Sequence, residues 1–510
     1  MQGIMGNAMK RAIRCISAVM LTGAFLLSAA GCGARELTEN IVDDKYDNYY
    51  EVFVYSFCDS DGNGVGDFNG VTQKLSYIRD LGYTAIWLMP ICVSPSYHKY
   101  DVTDYQAVDP LYGTMEDFET LVDAAHEMDI RLIIDLVVNH TSDQHPWFEQ
   151  AVLAAQLGRT DDPYYDYYNF SDQPLAGYAQ RGSVYYEARF YSGMPDLNLD
   201  SNAVRGEISD IMRFWLEKGV DGFRLDACTS YYTGDNQKSA AFAGWLQSEA
   251  EKYNPDCYIV GEVWSNRAVI QEFYGGGADS FFYFPMSQAS GSINQTLLSA
   301  TPADYYFSAM EEMDATAGDS IAAPFLGNHD TGRIAGVVGR KEERVKFAYG
   351  LAGMLSGNLF TYYGDEIGMV GSATDPDKRI GMLWDNDQEF IIYPPGTTTR
   401  EYEFDGVKQQ LEDEGSILNY YKRCNLIRNA FPPIMRGESS RIPYEAEDVL
   451  IFSKTWNEER VFIAINFSQE ERTVTRAWEG ELAAALTVDG EIELRGEDLR
   501  MPGYSIAIIS

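Results

Sequence analysis

The sequence predicts an α/β protein: a (β/α)8 TIM barrel with an inserted subdomain after strand three and a C-terminal antiparallel β-sandwich domain. Three observations carry that expectation. Short continuous apolar runs alternate with amphipathic stretches from residue 49 to about 430. A long non-periodic stretch rich in Tyr, Asp and Gly interrupts the alternation after the third run. Beyond Pro432-Pro433 the texture changes to short β-branched segments between polar turns. Continuous apolar runs suit parallel strands covered on both faces, and strands alternating with helices suit a barrel.

The eight runs are Val52–Phe57, Ala85–Met89, Leu132–Val138, Gly222–Leu225, Tyr258–Val260, Phe281–Phe284, Pro324–Leu326 and Leu359–Tyr363. Helical spacing appears between them. Val71, Leu75, Ile78 and Leu81 share one face, as do Phe118, Leu121, Val122 and Ala125. Ile208, Ile211, Met212 and Trp215 repeat the pattern, and so do Val345, Ala348, Leu351 and Leu355. This places the barrel at 49–140 and 199–432. The interruption, 141–198, is too long for a plain loop in a compact domain and is expected to be a functional insertion. Residues 433–510 form the sandwich, with strands expected at Val449–Phe452, Val461–Phe467, Thr473–Thr475 and Tyr504–Ile509.

The N-terminus reads as a targeting segment. Lys10, Arg11 and Arg14 precede an apolar stretch from Cys15 to Ala30, too short for a comfortable membrane span. Ser28-Ala29-Ala30-Gly31-Cys32 resembles a bacterial lipoprotein signal, which implies that residues 1–31 are removed and Cys32 carries the lipid. Residues 32–48 are then a polar linker. The protein is expected to be exported, held at the cell surface by that anchor alone, and monomeric. Cys58, Cys92, Cys228, Cys257 and Cys424 are odd in number and widely spaced, so buried thiols rather than a disulfide framework are expected.

Composition narrows the partner. The 510 residues are 45% apolar and 23% charged, ordinary for a folded protein, but 39 basic residues face 77 acids. The net charge of −38 disfavours nucleic acid, which needs a basic face. The 35 tyrosines are either core or platforms for flat polar ligands such as sugars.

In a barrel the chemistry lies at the C-terminal ends of the strands. Polar residues cluster at those ends: Asp135, Asn139 and His140 after the third run; Arg224 and Asp226 at the fourth; Glu262 after the fifth; His329 and Asp330 after the seventh. Burying so many charges costs several kcal/mol unless they are paired. Three acids, an arginine and two histidines, with no metal-ligand spacing and no Ser-His pair, suit glycoside hydrolysis, which needs two carboxylates. Arg224 lies two residues before Asp226, so both share one face, and the pair suits Asp226 to act as an anionic nucleophile. Glu262, in a drier place, would keep its proton for the leaving oxygen. His140 and His329 would donate to sugar hydroxyls.

These segments resemble glycoside hydrolase family 13, the α-amylase family, and in particular an intermediate group of bacterial α-amylase lipoproteins. The matching strings are Asp135-Leu-Val-Val-Asn-His140, Gly222-Phe-Arg-Leu-Asp226-Ala227, Gly261-Glu-Val-Trp264 and Phe325-Leu-Gly-Asn-His-Asp330. Met194-Pro-Asp-Leu-Asn198, Tyr97-His-Lys-Tyr100 and Tyr362-Tyr-Gly-Asp-Glu366 support them. The resemblance implies Asp226 as nucleophile, Glu262 as acid/base, and Asp330 as the carboxylate that binds ring hydroxyls and distorts the substrate. It also implies Tyr100 beneath the sugar, Arg224, His140 and His329 as its neighbours, and Arg379 as a later contact. The implied activity is retaining hydrolysis of α-1,4-glucosidic bonds in starch and malto-oligosaccharides, with an α-glucosidase or glucanotransferase as the alternative. The resemblance also implies α-1,4 bonds through Ala227, since a small residue after the nucleophile goes with α-1,4 cleavage in related enzymes. Thr229 and Ser230 depart from the Lys-His pair that many amylases carry there.

A second constellation is Asp59-Ser-Asp61-Gly-Asn63-Gly-Val65-Gly-Asp67. Oxygens at positions 1, 3 and 5, a backbone carbonyl at 7 and an acid at 9 suit one structural Ca²⁺. Gly70 at position 12 rules out an EF-hand. The family resemblance implies the same ion.

Overall fold

The computed structural model of the protein describes residues 42, 44–475 and 478–510. The targeting segment, Cys32 and most of the expected linker lie outside the described residues.

Eight parallel strands form the central sheet: β1 (Asn48–Val52), β2 (Ala85–Leu88), β3 (Arg131–Leu136), β4 (Gly222–Leu225), β5 (Tyr258–Gly261), β6 (Ser280–Phe282), β7 (Ile321–Ala323) and β8 (Leu359–Tyr362). From β1 to β7 each pairs with the next in the chain, and β8 pairs with β1. A parallel bridge between Phe325 and Phe360 draws β7 towards β8 and nearly closes the ring.

Side chains alternate along each strand. Tyr49, Ala85, Trp87, Ile133, Tyr258, Val260, Phe282, Ile321, Ala323 and Phe360 fill the barrel interior. Tyr50, Val52, Ile86, Leu88, Leu132, Ile134, Phe223 and Ile259 face out against the helices. The expected helical faces are buried there, on helices Phe68–Asp80, Met115–Glu127, Asn202–Glu217 and Glu342–Gly353.

Two strands differ most from expectation, while the third and sixth end two residues early. The first is displaced towards the N-terminus: it spans Asn48–Val52, and Val54–Phe57 is a helical turn. Both segments are almost wholly buried, and burial alone does not separate a strand from a helix. The register decides it, Tyr49 pairing with Ala85 and with Phe360. The seventh strand likewise precedes its apolar run, at Ile321–Ala323, because Pro324 has no N–H for a ladder. The end of the expected linker is also part of the folded body: Lys45 pairs with Asp279, Asp47 is buried, and Asn48 opens β1.

The insertion after β3 has secondary structure of its own. Helix Pro146–Gln156 precedes a small sheet of Phe170–Ser171, Tyr178–Arg181 and Val184–Glu187. A hydrogen bond of Leu197 N to Asn139 O stitches it to the barrel, and one of Thr141 N to Pro195 O closes its base. At the C-terminus, a five-stranded antiparallel sheet from Glu438 to Ile509 faces a three-stranded one. Val449, Ile451, Ala464, Ala507 and Ile509 meet Val474, Leu499 and Met501 between them. Leu450, Phe452, Ile463 and Ile508, on the other face, join the large apolar cluster that packs the barrel helices. Among the described residues no helix is long and apolar enough to cross a membrane.

Candidate active site

The alternation that fills the barrel also builds the site. Inward positions near the ends of the strands are occupied by Glu51, Trp87, Asp135 and Arg224, and one step further by Asp226 and Glu262. Arg224 lies directly across from Asp135 in the β3–β4 register. Its Nη1 is 2.7 Å from both Asp135 Oδ1 and Asp226 Oδ1, and its Nη2 is 2.8 Å from Glu262 Oε2. Arg224 is 1% exposed, so one fully desolvated guanidinium gathers three carboxylates. Such forks fit carboxylates geometrically in a way that a lysine does not. The salt-bridge network and the site are the same object.

Local backbone places Asp226 and Glu262. Ala227 adopts a left-handed conformation, φ 50°, immediately after Asp226, and its N–H donates to Glu262 Oε2 at 2.9 Å. A non-glycine residue held there stores strain, which is common at functional sites. Gly261 precedes Glu262 because a Cβ there would stand 2.5 Å from the Phe281 ring. Burial raises the Glu262 carboxyl above its ordinary pKa; Arg224 opposes that, while the Asp226 and Asp330 charges add to it. Burial likewise pushes Asp135 up to about 7 against the pull of Arg224. Trp87 Nε1 and the Tyr100 hydroxyl donate to the other Asp135 oxygen.

The loop after β7 brings His329 and Asp330 to the same mouth. His329 Nε2 is 3.0 Å from Asp330 Oδ2 and 2.8 Å from the Tyr100 hydroxyl. Arg379 Nη2 contacts Asp330 Oδ1 at 3.0 Å. Burial would raise Asp330, but His329, Arg379 and Arg224 hold it well below the carboxylate range. Tyr100 stacks on His329 with ring centres 5.6 Å apart, and His98 lies beside it. Arg379 also pairs with Asp375, which accepts from the Tyr97 hydroxyl.

His140 is buried, and burial lowers its pKa. Its Nε2–H donates to Tyr100 O at 3.2 Å and Nδ1 faces Asn139 Nδ2 at 3.3 Å. A sugar hydroxyl would therefore have to displace a protein partner from His140. Asn139 also donates to Asp196, tying the insertion to β3. The tyrosines of the insertion divide: Tyr167, Tyr168 and Tyr186 are core, packed around Phe148 and Trp147. The exposed aromatics at the mouth are ones the sequence did not single out. Phe190 is half-exposed with its ring 5.1 Å from His140, and Trp264 is half-exposed and stacked on Phe284. Glu51 and Asp375 were also missed; a charge inside the apolar Tyr49–Val52 segment was the available signal for Glu51.

The acidic loop after β1 has Asp59, Asp61 and Asp67 carboxylate oxygens within 4.8 Å of one another. Asp67 also caps helix Phe68–Asp80 through Gly70 N. Asn63 Oδ1 accepts from Val65 N. Like charges so close repel, and their hard oxygen donors fit a divalent cation of the Ca²⁺ type.

A barrel whose mouth sets a carboxyl raised by burial beside a second one on the same buried arginine is built as a glycosidase. A family model for the α-amylase catalytic domain matches residues 51–437. The chain belongs to the α-amylase family, glycoside hydrolase family 13. It is 39% identical over 440 residues to a protein named α-amylase 3 from Dictyoglomus thermophilum, covering 83% of this chain and 85% of that one. It is 30% identical to a glucan 1,6-α-glucosidase of Streptococcus pneumoniae, covering 84% and 91%. The solved structure of Eubacterium rectale Amy13B superposes with a TM-score of 0.89 at 39% identity, covering 92% and 96%.

Proposed function

We propose that the protein is a retaining α-amylase that hydrolyses α-1,4-glucosidic bonds of starch and malto-oligosaccharides. The observation that carries the reading is the Arg224 fork, which sets Asp226 and Glu262 side by side at the barrel mouth. Asp226 attacks the anomeric carbon while Glu262 protonates the departing oxygen; Glu262 then deprotonates the water that releases the sugar. Asp330, held anionic by His329 and Arg379, binds ring hydroxyls as the ring flattens. Tyr100 lies beneath that ring, and Phe190 and Trp264 offer further apolar faces.

A second reading, α-glucosidase or glucanotransferase, is favoured by Thr229 and Ser230 in place of the Lys-His pair, and by the name of the Streptococcus relative. Incubation with soluble starch separates the two: early oligosaccharides support the amylase, glucose alone the glucosidase, and longer chains the transferase. Proton NMR of the first product must show the α anomer. No turnover of any α-glucan, or a β anomer, refutes the proposal.

Ca²⁺ bound by Asp59, Asp61, Asn63, the Val65 carbonyl and Asp67 would be structural, stiffening the loop that leads into helix Phe68–Asp80. No step of the reaction runs through it. We further propose export with lipid on Cys32, from the sequence alone, and a monomeric state. Radiolabelled palmitate that fails to label the wild type, or a dimer by light scattering, refutes the respective part.

A further inference from the structure

Strand β1 carries a buried acid that the reaction so far described does not use. Glu51 is 1% exposed and points into the barrel beside Trp87. A charge there costs several kcal/mol unless it is paired. Its partner is His329, whose Nδ1 is 2.5 Å from Glu51 Oε1. The opposite ring nitrogen faces Asp330 Oδ2 and the Tyr100 hydroxyl. A neutral imidazole has one N–H and one lone pair. Between two carboxylates it would turn that lone pair on one of them; protonated on both nitrogens, it donates to each.

We propose that Glu51 is a positioning residue for the glycosidase reaction: by holding His329 at Nδ1 it aims the Nε2–H at Asp330 and Tyr100, the two groups that border the bound sugar. This deepens the proposed function and rests on its reading of Asp330. The Glu51 side chain reaches the sugar only through the ring.

The proposal makes the ring's charge part of the site. The groups around it are Glu51 from β1, Asp135 from β3, Tyr100 from the loop after β2, and Asp330 on its own loop. Arg379 and Arg224 act from further off, through Asp330. Burial alone would lower the His329 pKa, but Asp330 and Glu51 carry it up to about 9. With the Glu51 charge gone the ring sheds its second proton at lower pH, and Asp330 loses its imidazolium partner.

The test uses the purified full chain with ¹⁵N-labelled histidines, of which there are five. In the wild type, both His329 nitrogens should be protonated at neutral pH. In Glu51→Gln, which keeps the shape and removes the charge, the His329 midpoint should fall by at least about one pH unit, tenfold in proton affinity. The ratio of variant to wild-type kcat/KM on maltoheptaose, in which the Glu262 titration cancels, should fall as pH rises through the variant's His329 midpoint. Below about pH 6.5 the loss should stay within about threefold, because the ring is protonated in both proteins. A neutral His329 at neutral pH in the wild type overturns the proposal, whether or not the variant folds. So does a folded Gln variant with an unmoved midpoint, or one whose kcat/KM ratio to wild type does not change with pH. If the ring titrates as expected but the wild type turns over no α-glucan, the proposed function fails and the positioning role fails with it, while the ring's double protonation stands.

Discussion

Replacing Glu262 by Gln separates the chemistry of that carboxyl from its place in the structure. Glu262 Oε2 forms an ion pair with Arg224 Nη2 at 2.8 Å and accepts a hydrogen bond from Ala227 N at 2.9 Å. A glutamine that turns its amide oxygen inward keeps the Ala227 bond and the close approach to Arg224. What it loses structurally is the charge in one charge-assisted bond, about 1 kcal/mol against its neutral counterpart. Burial already disfavours that charge, which reduces the loss further. The catalytic loss is of another size. A positioned general acid contributes about 10²–10⁴ in rate, or about 3–5 kcal/mol of barrier. The assay compares kcat/KM on maltoheptaose with the first-turnover burst on a nitrophenyl α-maltoside, alongside a melting curve. Maltoheptaose turnover should fall by about 10²–10⁴ with the fold retained. The burst should fall much less, because nitrophenolate departs without being protonated. Two results refute the assignment: maltoheptaose activity within tenfold of wild type in a folded variant, or equal losses on both substrates.

Three further outcomes follow from the geometry. Folding stability should decline as pH rises through about 9. His329 titrates near 9 in the fold and near about 6.5 unfolded, so its contribution, on the order of 3 kcal/mol, is complete below the lower value and lost above the upper. Urea melts across that window measure it, and a decline of the same size in His329→Gln would refute the attribution. Chelation should lower the melting temperature, since an ion at a hundredfold excess over its Kd supplies about 2.7 kcal/mol. Asp61→Ala, at an exposed side chain that accepts from Asn63 of its own loop, should abolish the chelator's effect and spare starch turnover; an unchanged wild-type melting curve counts against the metal. Finally, Arg428→Ala should cost at least about 3 kcal/mol in urea unfolding. Arg428 donates to Asn48 Oδ1 and to the carbonyls of Gly353, Leu355 and Gly357, all buried. A loss under about 1 kcal/mol would show that water replaces those bonds.

Much of the fold was legible because its signals are local. The 3–4 spacing of Val71, Leu75 and Ile78 needs no partner to read, and those residues are buried on one helix face. The β-branched run at Val449 is a strand for the same reason. The first and seventh strands were misplaced where that locality fails. An apolar run reports burial, whereas a strand's limits depend on which neighbours complete its ladder, here Ala85 and Phe360 for Tyr49.

The division for the site is similar. Sequence alone determined which residue types end the strands, and motif order tied Asp226, Glu262 and Asp330 to one family. It also determined that Arg224 and Asp226 share a face, because a strand repeats every two residues. Tertiary structure alone decided what each charge meets. Arg224 binds Asp135, Asp226 and Glu262 together, from three separate strands. Glu51 reaches His329 across 278 residues of chain, and Asp375 reaches Tyr97 across the same number. Protonation depends on burial and on neighbours brought in by closure of the barrel, so a pattern of residue types names the acids and the ring of strands decides what each one meets.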